Sequence, residues 1–264
     1  MKGSIVWLSE HDSPDAFPAV DQALREPDGL LAAGGDLSPA RLIAAYRRGI
    51  FPWYSRGQPI LWWSPDPRAV LTPSQLKISR SLWKSIRNRG YVTRMDTAFR
   101  EVIRNCSSTQ LRPGGTWLSP QMRAAYLRLH KLGLAHSVET WRQDRLVGGL
   151  YGVAIGRVFF GESMFSIERD ASKVALKQLC DELLARGFRM IDCQMATPHL
   201  LSMGAQLIPR AEFITLLRSH VGDEPAPARP LQLDAAACEA AVSLAPQAVR
   251  TVWAQDFGVL HSRH

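Results

Sequence analysis

The stretch FRMIDCQ, residues 188–194, decides how we interpret the fold of this chain. It is short and mostly apolar, and it lies between a helix-like segment and a turn, a pattern typical of a buried strand. Because side chains alternate faces along a strand, Asp192 and Gln194 should point the same way and Cys193 the other way. Burying a carboxylate beside a carboxamide costs free energy, and open α/β sheets bind ligands at the carboxyl ends of their strands. The pair therefore predicts a functional site, although a structural Asp192 that caps the next helix explains the pattern equally well.

The composition is that of an ordinary globular protein with one or two domains. The chain has 264 residues, of which 46% are hydrophobic and 21% charged. Its formal net charge of +8 favours a polyanionic partner. No apolar run reaches the length of a membrane helix, and the N-terminus lacks the apolar core of a signal peptide. The four cysteines form no CxxC pair and the seven histidines no HExxH, so we expect a reduced, cytoplasmic protein without a metal site or a membrane partner.

Changes in composition along the chain predict three parts. They are a small N-terminal α/β domain, a larger domain that contains FRMIDCQ, and a proline- and alanine-rich C-terminal extension, at residues 1–66, 67–220 and 221–264. In the first part, Ser38 and Pro39 have the residue types of an N-cap and a first helical position, and Gly49 is a typical helix stop. The sequence therefore predicts one helix in the small domain.

Residues 50–71 are rich in proline and in aromatic side chains. This composition predicts a rigid, extended segment that presents rings at a surface and bridges the two domains. Its tryptophans, Trp53, Trp62 and Trp63, either pack in the core or form a stacking platform for a base. The sequence leaves both interpretations open.

A basic segment follows at residues 77–94, with six Lys or Arg residues and no acidic residue. Ser79 has the type of an N-cap and Gly90 that of a helix stop. On the predicted helix, one face carries Arg80, Lys84 and Arg87, and another carries Leu82, Trp83 and Ile86. A charged face is usually only solvated, but an acid-free one in a basic protein favours contact with a phosphate backbone. The basic residues predicted to make that contact are Lys77, Arg80, Lys84, Arg87 and Arg89.

The remainder of the chain changes from helices to strands and back. After helices at 96–106 and 119–133, the predicted order is strands at 135–141, 146–155 and 158–166, a helix at 171–186, the strand 188–194, and helices at 199–203 and 211–219. Three antiparallel strands, a helix and a strand form the core order of GNAT-type acyltransferases. The usual acetyl-CoA donor needs a glycine-rich loop before the long helix, but SIERDAS at 166–172 contains no glycine. The order therefore favours acyl transfer from another donor, and the basic helix and the tryptophans favour one carried on nucleic acid.

Several long stretches resemble one protein family. They include LREPDGLLAAGGDLSPARL, AYRRGIFPWY, ILWWSPDPRAVL, LVGGLYGVA, FGESMFS, IDCQ and GAQLIPR, and together they span residues 24–217. The chain resembles the leucyl/phenylalanyl-tRNA–protein transferases of bacteria. The resemblance implies an α+β protein with a small N-terminal domain and a GNAT-like catalytic domain, a mixed sheet with flanking helices. It also implies an enzyme that uses no metal or nucleotide cofactor, and we expect a monomer.

The resemblance further implies an aminoacyltransferase reaction. Such an enzyme takes leucine or phenylalanine from leucyl-tRNA or phenylalanyl-tRNA. It joins that residue through a peptide bond to proteins with N-terminal Arg or Lys, which marks them for N-degron proteolysis. The tail beyond residue 220 lies outside the resemblance, and the sequence indicates no function for it.

The resemblance also carries functional positions onto this chain. By the resemblance, Trp53 and Trp117 occupy the positions that bind the aminoacyl-adenosine end of the donor, and Tyr46 lines the same cleft. By the resemblance, the positions expected to be catalytic are occupied by Glu162, Asp192 and Gln194. The pocket for the donor side chain falls on Leu150, Phe159, Leu176, Leu179 and Ile191. Other members carry different bulky apolar residues at Leu150 and Leu179, which can alter the preference between leucine and phenylalanine.

We hypothesise a mechanism in which an activated ester is aligned with an amine. In it, Asp192 accepts a hydrogen bond from the incoming amine and takes or relays its proton, Gln194 passes that interaction on or orients the ester carbonyl, and Glu162 holds the amino or ribose groups of the donor. The alternatives are a peptidoglycan-type transferase that uses aminoacyl-tRNA, a non-catalytic tRNA-binding module, and a thiol enzyme that uses Cys193. Strand alternation argues against the last, since it turns Cys193 away from Asp192.

Overall fold

A computed structural model describes residues 5–108 and 118–222 of the chain. These residues form a four-stranded and a seven-stranded sheet with α-helices packed around them. The expected class, α+β with a small first sheet and a larger mixed sheet, is confirmed. The position of Trp117 and nearly all of the expected C-terminal extension, from residue 223 onward, lie outside the described residues.

The small sheet is built by the N-terminal part of the chain. Its strands run in the spatial order β1-β2-β4-β3. Helix α1 lies between β2 and β3 in the chain, and the elements in sequence order are β1 (Val6–Leu8), β2 (Leu30–Gly34), α1 (Pro39–Arg47), β3 (Phe51–Pro52) and β4 (Leu61–Trp63). The predicted helix is confirmed: the Ser38 hydroxyl accepts a hydrogen bond from the Arg41 amide, and Gly49 follows with a φ of 74°.

The large sheet begins at residue 68. Its spatial order is β11-β5-β10-β9-β8-β7-β6. Its strands are β5 (Arg68–Leu71), β6 (Val92–Met95), β7 (Ala135–Arg142), β8 (Arg145–Ile155), β9 (Val158–Ser166), β10 (Met190–Gln194) and β11 (Gln206–Ile208). Its helices are α2 (Arg80–Asn88), α3 (Phe99–Cys106), α4 (Pro120–Lys131), α5 (Ala171–Ala185), α6 (Pro198–Ser202) and α7 (Arg210–Val221).

The predicted order of three antiparallel strands, a helix and a fourth strand is confirmed. Strands β7, β8 and β9 form an antiparallel meander, and α5 then returns the chain so that β10 pairs with β9 in parallel. Both faces of the sheet are covered, which explains why its strands are so apolar. The small sheet, α1, α3, α4 and α7 share the hydrophobic core on one face, whereas α2 and α5 build the core on the other.

Residues 50–71 run from the small sheet into the large one, which agrees with the predicted bridge, but they form paired strands and not a single extended segment. They form β3 and β4 of the small sheet and β5 of the large one. Strand β5 lies between β10 and β11 and pairs with both in antiparallel fashion. Strands of two to four residues are too short to show alternation in the sequence, and only their long-range partners define them.

Helix α3 starts at Phe99, three residues after the predicted start at Asp96. Asp96 has a φ of 55° and does not cap the helix. Its carboxylate instead accepts a hydrogen bond from the Ser137 amide at 2.8 Å and lies 2.7 Å from Nδ1 of His136. Contacts with β7, forty residues away in the chain, therefore override the local capping preference.

The pairing between β9 and β10 stops before either strand ends. It covers only Met190 to Asp192, opposite Val158 to Phe160. Beyond Asp192 the register with β5 also shifts, and Gln194 takes a left-handed conformation with a φ of 61°. The carboxyl ends of two adjacent parallel strands therefore separate at the centre of the sheet, where α/β sheets bind ligands. Within the described part of the chain, no helix is long and apolar enough to cross a membrane.

Candidate active site

A cleft opens where β9 and β10 separate. Its volume is about 250 Å³, and its walls come from the β3 end of the small sheet, the large sheet, α5 and the start of α6. Eight residues that the resemblance marked line it, namely Trp53, Leu150, Phe159, Glu162, Leu176, Leu179, Ile191 and Gln194. Most of the expected site thus meets in one cleft, although its members are spread over 140 positions of the chain.

The inner end of the cleft is apolar. The five residues expected to hold a donor side chain are each only 2–3% exposed, and all belong to the core between the sheet and α5: Leu150, Phe159, Leu176, Leu179 and Ile191. Leu176 and Leu179 lie one turn apart on α5, so they face the sheet together. This end of the cleft can accommodate a side chain without polar groups.

A polar cluster lies next to the apolar end and is centred on Glu162. Its Oε1 accepts hydrogen bonds from the Tyr46 hydroxyl at 2.7 Å and from Nε2 of Gln194 at 3.0 Å. Its Oε2 accepts one from the Tyr126 hydroxyl at 2.5 Å. Tyr46 and Tyr126 are fully buried, whereas Glu162 is only partly buried and faces the cleft. Sequence reasoning missed Tyr126, because its position on α4 predicts an inward-facing residue and nothing more.

The geometry of the cluster has a place for one further proton. The Tyr46 and Tyr126 hydroxyls also lie 2.9 Å from each other, so the two phenols and Glu162 together form three close oxygen–oxygen contacts. Two phenolic protons cannot fill all three contacts, whereas a protonated Glu162 supplies the third proton. Burial raises the pKa of Glu162 to about 7, although the hydrogen bonds from Tyr126 and Tyr46 lower it. Glu162 can therefore both take up and release a proton near pH 7.

Asp192 lies behind the wall of the cleft, not in it. Its carboxylate is completely buried and forms two contacts with the Arg68 guanidinium, at 2.8 and 2.7 Å. Its Oδ1 also accepts a hydrogen bond from the Gln194 amide at 2.9 Å. The alternative helix-cap interpretation is wrong as well, since the Thr197 hydroxyl caps α6. Because Asp192 has no exposed surface, an incoming amine does not contact this carboxylate directly.

The tryptophans of residues 50–71 divide between the two interpretations. Trp62 is fully buried against Phe17 and donates a hydrogen bond to the Gly34 carbonyl, so it belongs to the core. Trp53 is 38% exposed and lines the cleft. The Trp63 ring packs edge-on against the Trp53 ring at 5.7 Å, and its Nε1 donates to the Trp53 carbonyl. Trp53 thus presents a supported ring at the entrance of the cleft.

The predicted basic helix is confirmed as α2. The Ser79 hydroxyl accepts a hydrogen bond from the Leu82 amide, and Gly90 follows with a φ of 64°. Leu82 and Ile86 are buried as expected, but Trp83 is 41% exposed, which differs from the prediction. The predicted phosphate contacts lie at the surface, with Lys77, Arg80, Lys84 and Arg87 exposed and Arg89 half-buried.

A second cavity, of about 320 Å³, lies beside α2. It is lined by Lys84, Arg89 and Arg169 with polar neighbours on α2. Arg169 belongs to the β9–α5 connection, so the sequence does not associate it with α2. The Ser85 hydroxyl donates to Asp170 at 2.7 Å and ties α2 to the start of α5. The basic surface therefore includes a cationic groove that no single segment predicts.

The possible metal ligands and the thiol next to the cleft can be compared with what their chemistry requires. Among residues 5–108 and 118–222, no three His, Cys, Asp or Glu side chains are grouped closely enough to hold a metal ion. Cys193 is partly buried and lines the cleft, but burial raises the pKa of its thiol far above neutrality. A thiol that stays protonated is a weak nucleophile.

Comparisons with known proteins show what this chain is similar to. Two family models match, the leucyl/phenylalanyl-tRNA protein transferase N-terminal domain at residues 35–66 and leucyl/phenylalanyl-tRNA protein transferase at residues 70–218. The leucyl/phenylalanyl-tRNA–protein transferase of Aromatoleum aromaticum is 60% identical over 85% of this chain and 94% of its own length. That of Azoarcus sp. is 61% identical over the same shares. Among solved structures, a GCN5-related N-acetyltransferase from Kribbella flavida aligns with a TM-score of 0.34 and 10% identity, over 65% of this chain and 61% of that one.

Proposed function

This chain belongs to the leucyl/phenylalanyl-tRNA–protein transferase family, and we propose that its cleft joins leucine or phenylalanine, carried on tRNA, to proteins that begin with Arg or Lys. The observation that carries the proposal is the adjacency of two features. An apolar end with five buried side chains adjoins a carboxyl group, Glu162, whose pKa is about 7. The first feature suits the donor side chain, and the second suits removal of a proton from an amine.

The donor enters with its side chain first. Leucine or phenylalanine occupies the apolar end between the sheet and α5, and the terminal adenosine stacks on Trp53 at the entrance. A pocket of this kind discriminates by size, and one methylene changes selection by only about 1–3 kcal/mol. Acceptance of both leucine and phenylalanine follows from this weak discrimination.

The reaction requires no further activation of the donor, because the ester is already reactive. The neutral α-amino group of the acceptor protein attacks the ester carbonyl of the aminoacyl-tRNA. A C–N bond forms, and the C–O bond to the ribose breaks. Glu162 takes the proton that the nitrogen loses and returns it to the departing ribose oxygen. Gln194, held by Glu162, orients the ester. Asp192 acts on Gln194 through the backbone and does not take the proton itself.

The tRNA lies along the basic surface of α2. The backbone phosphates are contacted by Lys77, Arg80, Lys84, Arg87 and Arg89, as the acid-free segment predicts. Arg169 adds a cation to the groove that Lys84 and Arg89 line. Leucyl-tRNA and phenylalanyl-tRNA are the donors, and no cofactor beyond these substrates is needed. We place the reaction in the cytoplasm, where aminoacyl-tRNA is made, and expect the enzyme to act as a monomer that marks its products for proteolysis.

The test is direct transfer by the purified chain. Leucyl-tRNA with labelled leucine is mixed with three peptides that differ only in their first residue, which is Arg, Lys or Ala. We expect labelled product with the Arg and Lys peptides and none with the Ala peptide. Binding of leucyl-tRNA without transfer to any peptide would instead identify a tRNA-binding module and overturn the proposal.

A further inference from the structure

Arg68 is a buried cation on β5 to which the proposed reaction assigns no role. Its side chain is 1% exposed, and its guanidinium lies between two aromatic rings, 4.9 Å from the centre of Phe51 and 4.6 Å from that of Phe213. Phe51 comes from the small sheet and Phe213 from α7. Two separate parts of the fold therefore pack against this one guanidinium.

The guanidinium orients Asp192 through two parallel hydrogen bonds. Nε donates to Oδ1 at 2.8 Å and Nη2 to Oδ2 at 2.7 Å. A fork of this kind fixes the plane of the carboxylate as well as its distance, which a lysine ammonium cannot do. Since Asp192 has no exposed surface, water cannot replace either hydrogen bond of the pair.

Asp192 in turn fixes the backbone of Gln194. Oδ1 of Asp192, which accepts the hydrogen bond from Nε of Arg68, also accepts one from the Gln194 amide at 2.9 Å. Gln194 has a φ of 61°. This left-handed conformation is unfavourable for any residue other than glycine, and it persists only when the surrounding structure stabilises it. From this backbone, Nε2 of Gln194 reaches Glu162 at 3.0 Å. A continuous chain of hydrogen bonds thus leads from Arg68 to the carboxyl group in the cleft.

Stability alone does not explain the pair. A buried ion pair gains little over well-packed apolar side chains of similar size, because both charges lose their hydration. The remaining nitrogen of the guanidinium, Nη1, is also buried and has no hydrogen-bond partner among the described residues. Such an unpaired donor adds a further cost. The distinctive effect of the pair is geometric, since it sets the conformation of the residue that contacts Glu162.

We propose that Arg68 is a positioning residue for aminoacyl transfer, which holds Gln194 against Glu162 by way of Asp192. The proposal rests on the proposed function, because its effect is measured as transfer to an Arg peptide. It predicts that Arg68 affects the chemical step through Gln194 and not the binding of the donor. Arg68 and Gln194 should therefore be energetically coupled.

The test is a double-mutant cycle with Arg68→Lys and Gln194→Ala. With Gln194 present, Arg68→Lys should lower kcat about tenfold or more while KM for leucyl-tRNA changes by less than about twofold. With Gln194→Ala already made, the same change should lower kcat by less than about twofold. Equal losses in both backgrounds would show that Arg68 does not act through Gln194 and would overturn the proposal.

Arg41 supplies the matched control. It is another fully buried arginine, paired with Asp36 at 3.0 Å and donating to loop carbonyls, and it does not line the cleft. Arg41→Lys should lower the melting temperature but leave kcat of the folded enzyme unchanged, since its role is structural. If Arg68→Lys does not fold, Asp192→Asn replaces it in the cycle with the same expectation. Failure of both variants to fold would show a purely structural pair and would overturn the proposal, whereas absence of transfer by the unmodified protein would instead refute the proposed function.

Discussion

At the scale of single residues, burial and hydrogen bonding place the two carboxylates of the site in different environments. Asp192 is held by a guanidinium and a backbone amide, so both of its oxygens are occupied. Glu162 receives only neutral donors, two phenols and a carboxamide, and burial raises its pKa to about 7. Only Glu162 faces the cleft. A carboxyl group with a pKa near the working pH is the better proton acceptor.

The hydrogen bond from Tyr126 leads to a prediction about the pH dependence of transfer. Because this bond stabilises the ionised form of Glu162, Tyr126→Phe should raise the pKa of Glu162 further. If ionised Glu162 is the active form, the acidic limb of the kcat profile moves to higher pH, by roughly one unit. The measurement is kcat for leucyl transfer to an Arg peptide between pH 5.5 and 9. The titration of the peptide amine is the same for both enzymes, so an unshifted limb would contradict the role of Glu162.

At the scale of elements, the way strands and helices end shapes both functional surfaces. Strand β10 stops pairing with β9 at Asp192, and the separation of the two strands opens the cleft. Helix α2 is short and packs through Leu82 and Ile86, so its other faces remain free to carry arginine and lysine. Helix α3 packs on the opposite face of the large sheet. The basic surface of α2 is therefore spatially distinct from that of α3.

A salt titration tests whether α2 contacts phosphates. Arg80→Ala combined with Lys84→Ala should weaken binding of leucyl-tRNA and reduce the slope of log K against log salt by roughly 1 to 2, since each phosphate contact contributes about 0.7–0.9. The matched control is Arg100→Ala combined with Arg104→Ala, an exposed pair with the same spacing on α3. We expect the control to leave the slope unchanged. An equal slope for both variants and the unmodified protein would exclude α2 as the tRNA surface.

At the scale of the whole molecule, buried polar groups link parts of the chain that are distant in sequence. The Tyr46–Glu162 hydrogen bond joins α1 to β9 across 116 positions, and the Arg68–Asp192 pair spans 124. Another buried carboxyl group, Glu139 on β7, accepts hydrogen bonds from Thr97 at 2.8 Å and from Ser137. Glu139 is completely buried, and burial raises its pKa to about 7. The free energy of unfolding should therefore depend on pH.

Glu139→Gln tests this dependence. The folded protein binds the Glu139 proton more tightly than the unfolded chain does, because the pKa falls from about 7 to its ordinary value of 4.5 on unfolding. Between these pH values the stability therefore decreases as pH rises, by about 3 kcal/mol from this group. Glu139→Gln should remove that part of the decrease. The check is urea unfolding of both proteins at pH 5 and pH 8; an identical pH dependence would contradict a buried, neutral Glu139.

The sequence by itself determined the features that depend on neighbouring residues. Hydroxyl caps at Ser38 and Ser79 start α1 and α2 as predicted, because a cap needs only an amide three residues away. The strands and the long helix from β7 to β10 follow from hydrophobic periodicity within each segment. The acid-free composition of residues 77–94 likewise predicted the basic surface, since charge is a property of the segment itself.

Only the tertiary structure decided the features that depend on distant partners. Strand β5 exists because β10 and β11 pair with it, and Asp96 leaves α3 because β7 supplies better hydrogen bonds. The environments of Asp192 and Glu162 differ for the same reason, since the sequence shows two carboxylates but not that one contacts Arg68 and the other two phenols. Burial and the charge of the nearest neighbour set the reactivity of an acidic group. Both depend on residues 32 to 124 positions away, so no local pattern contains them.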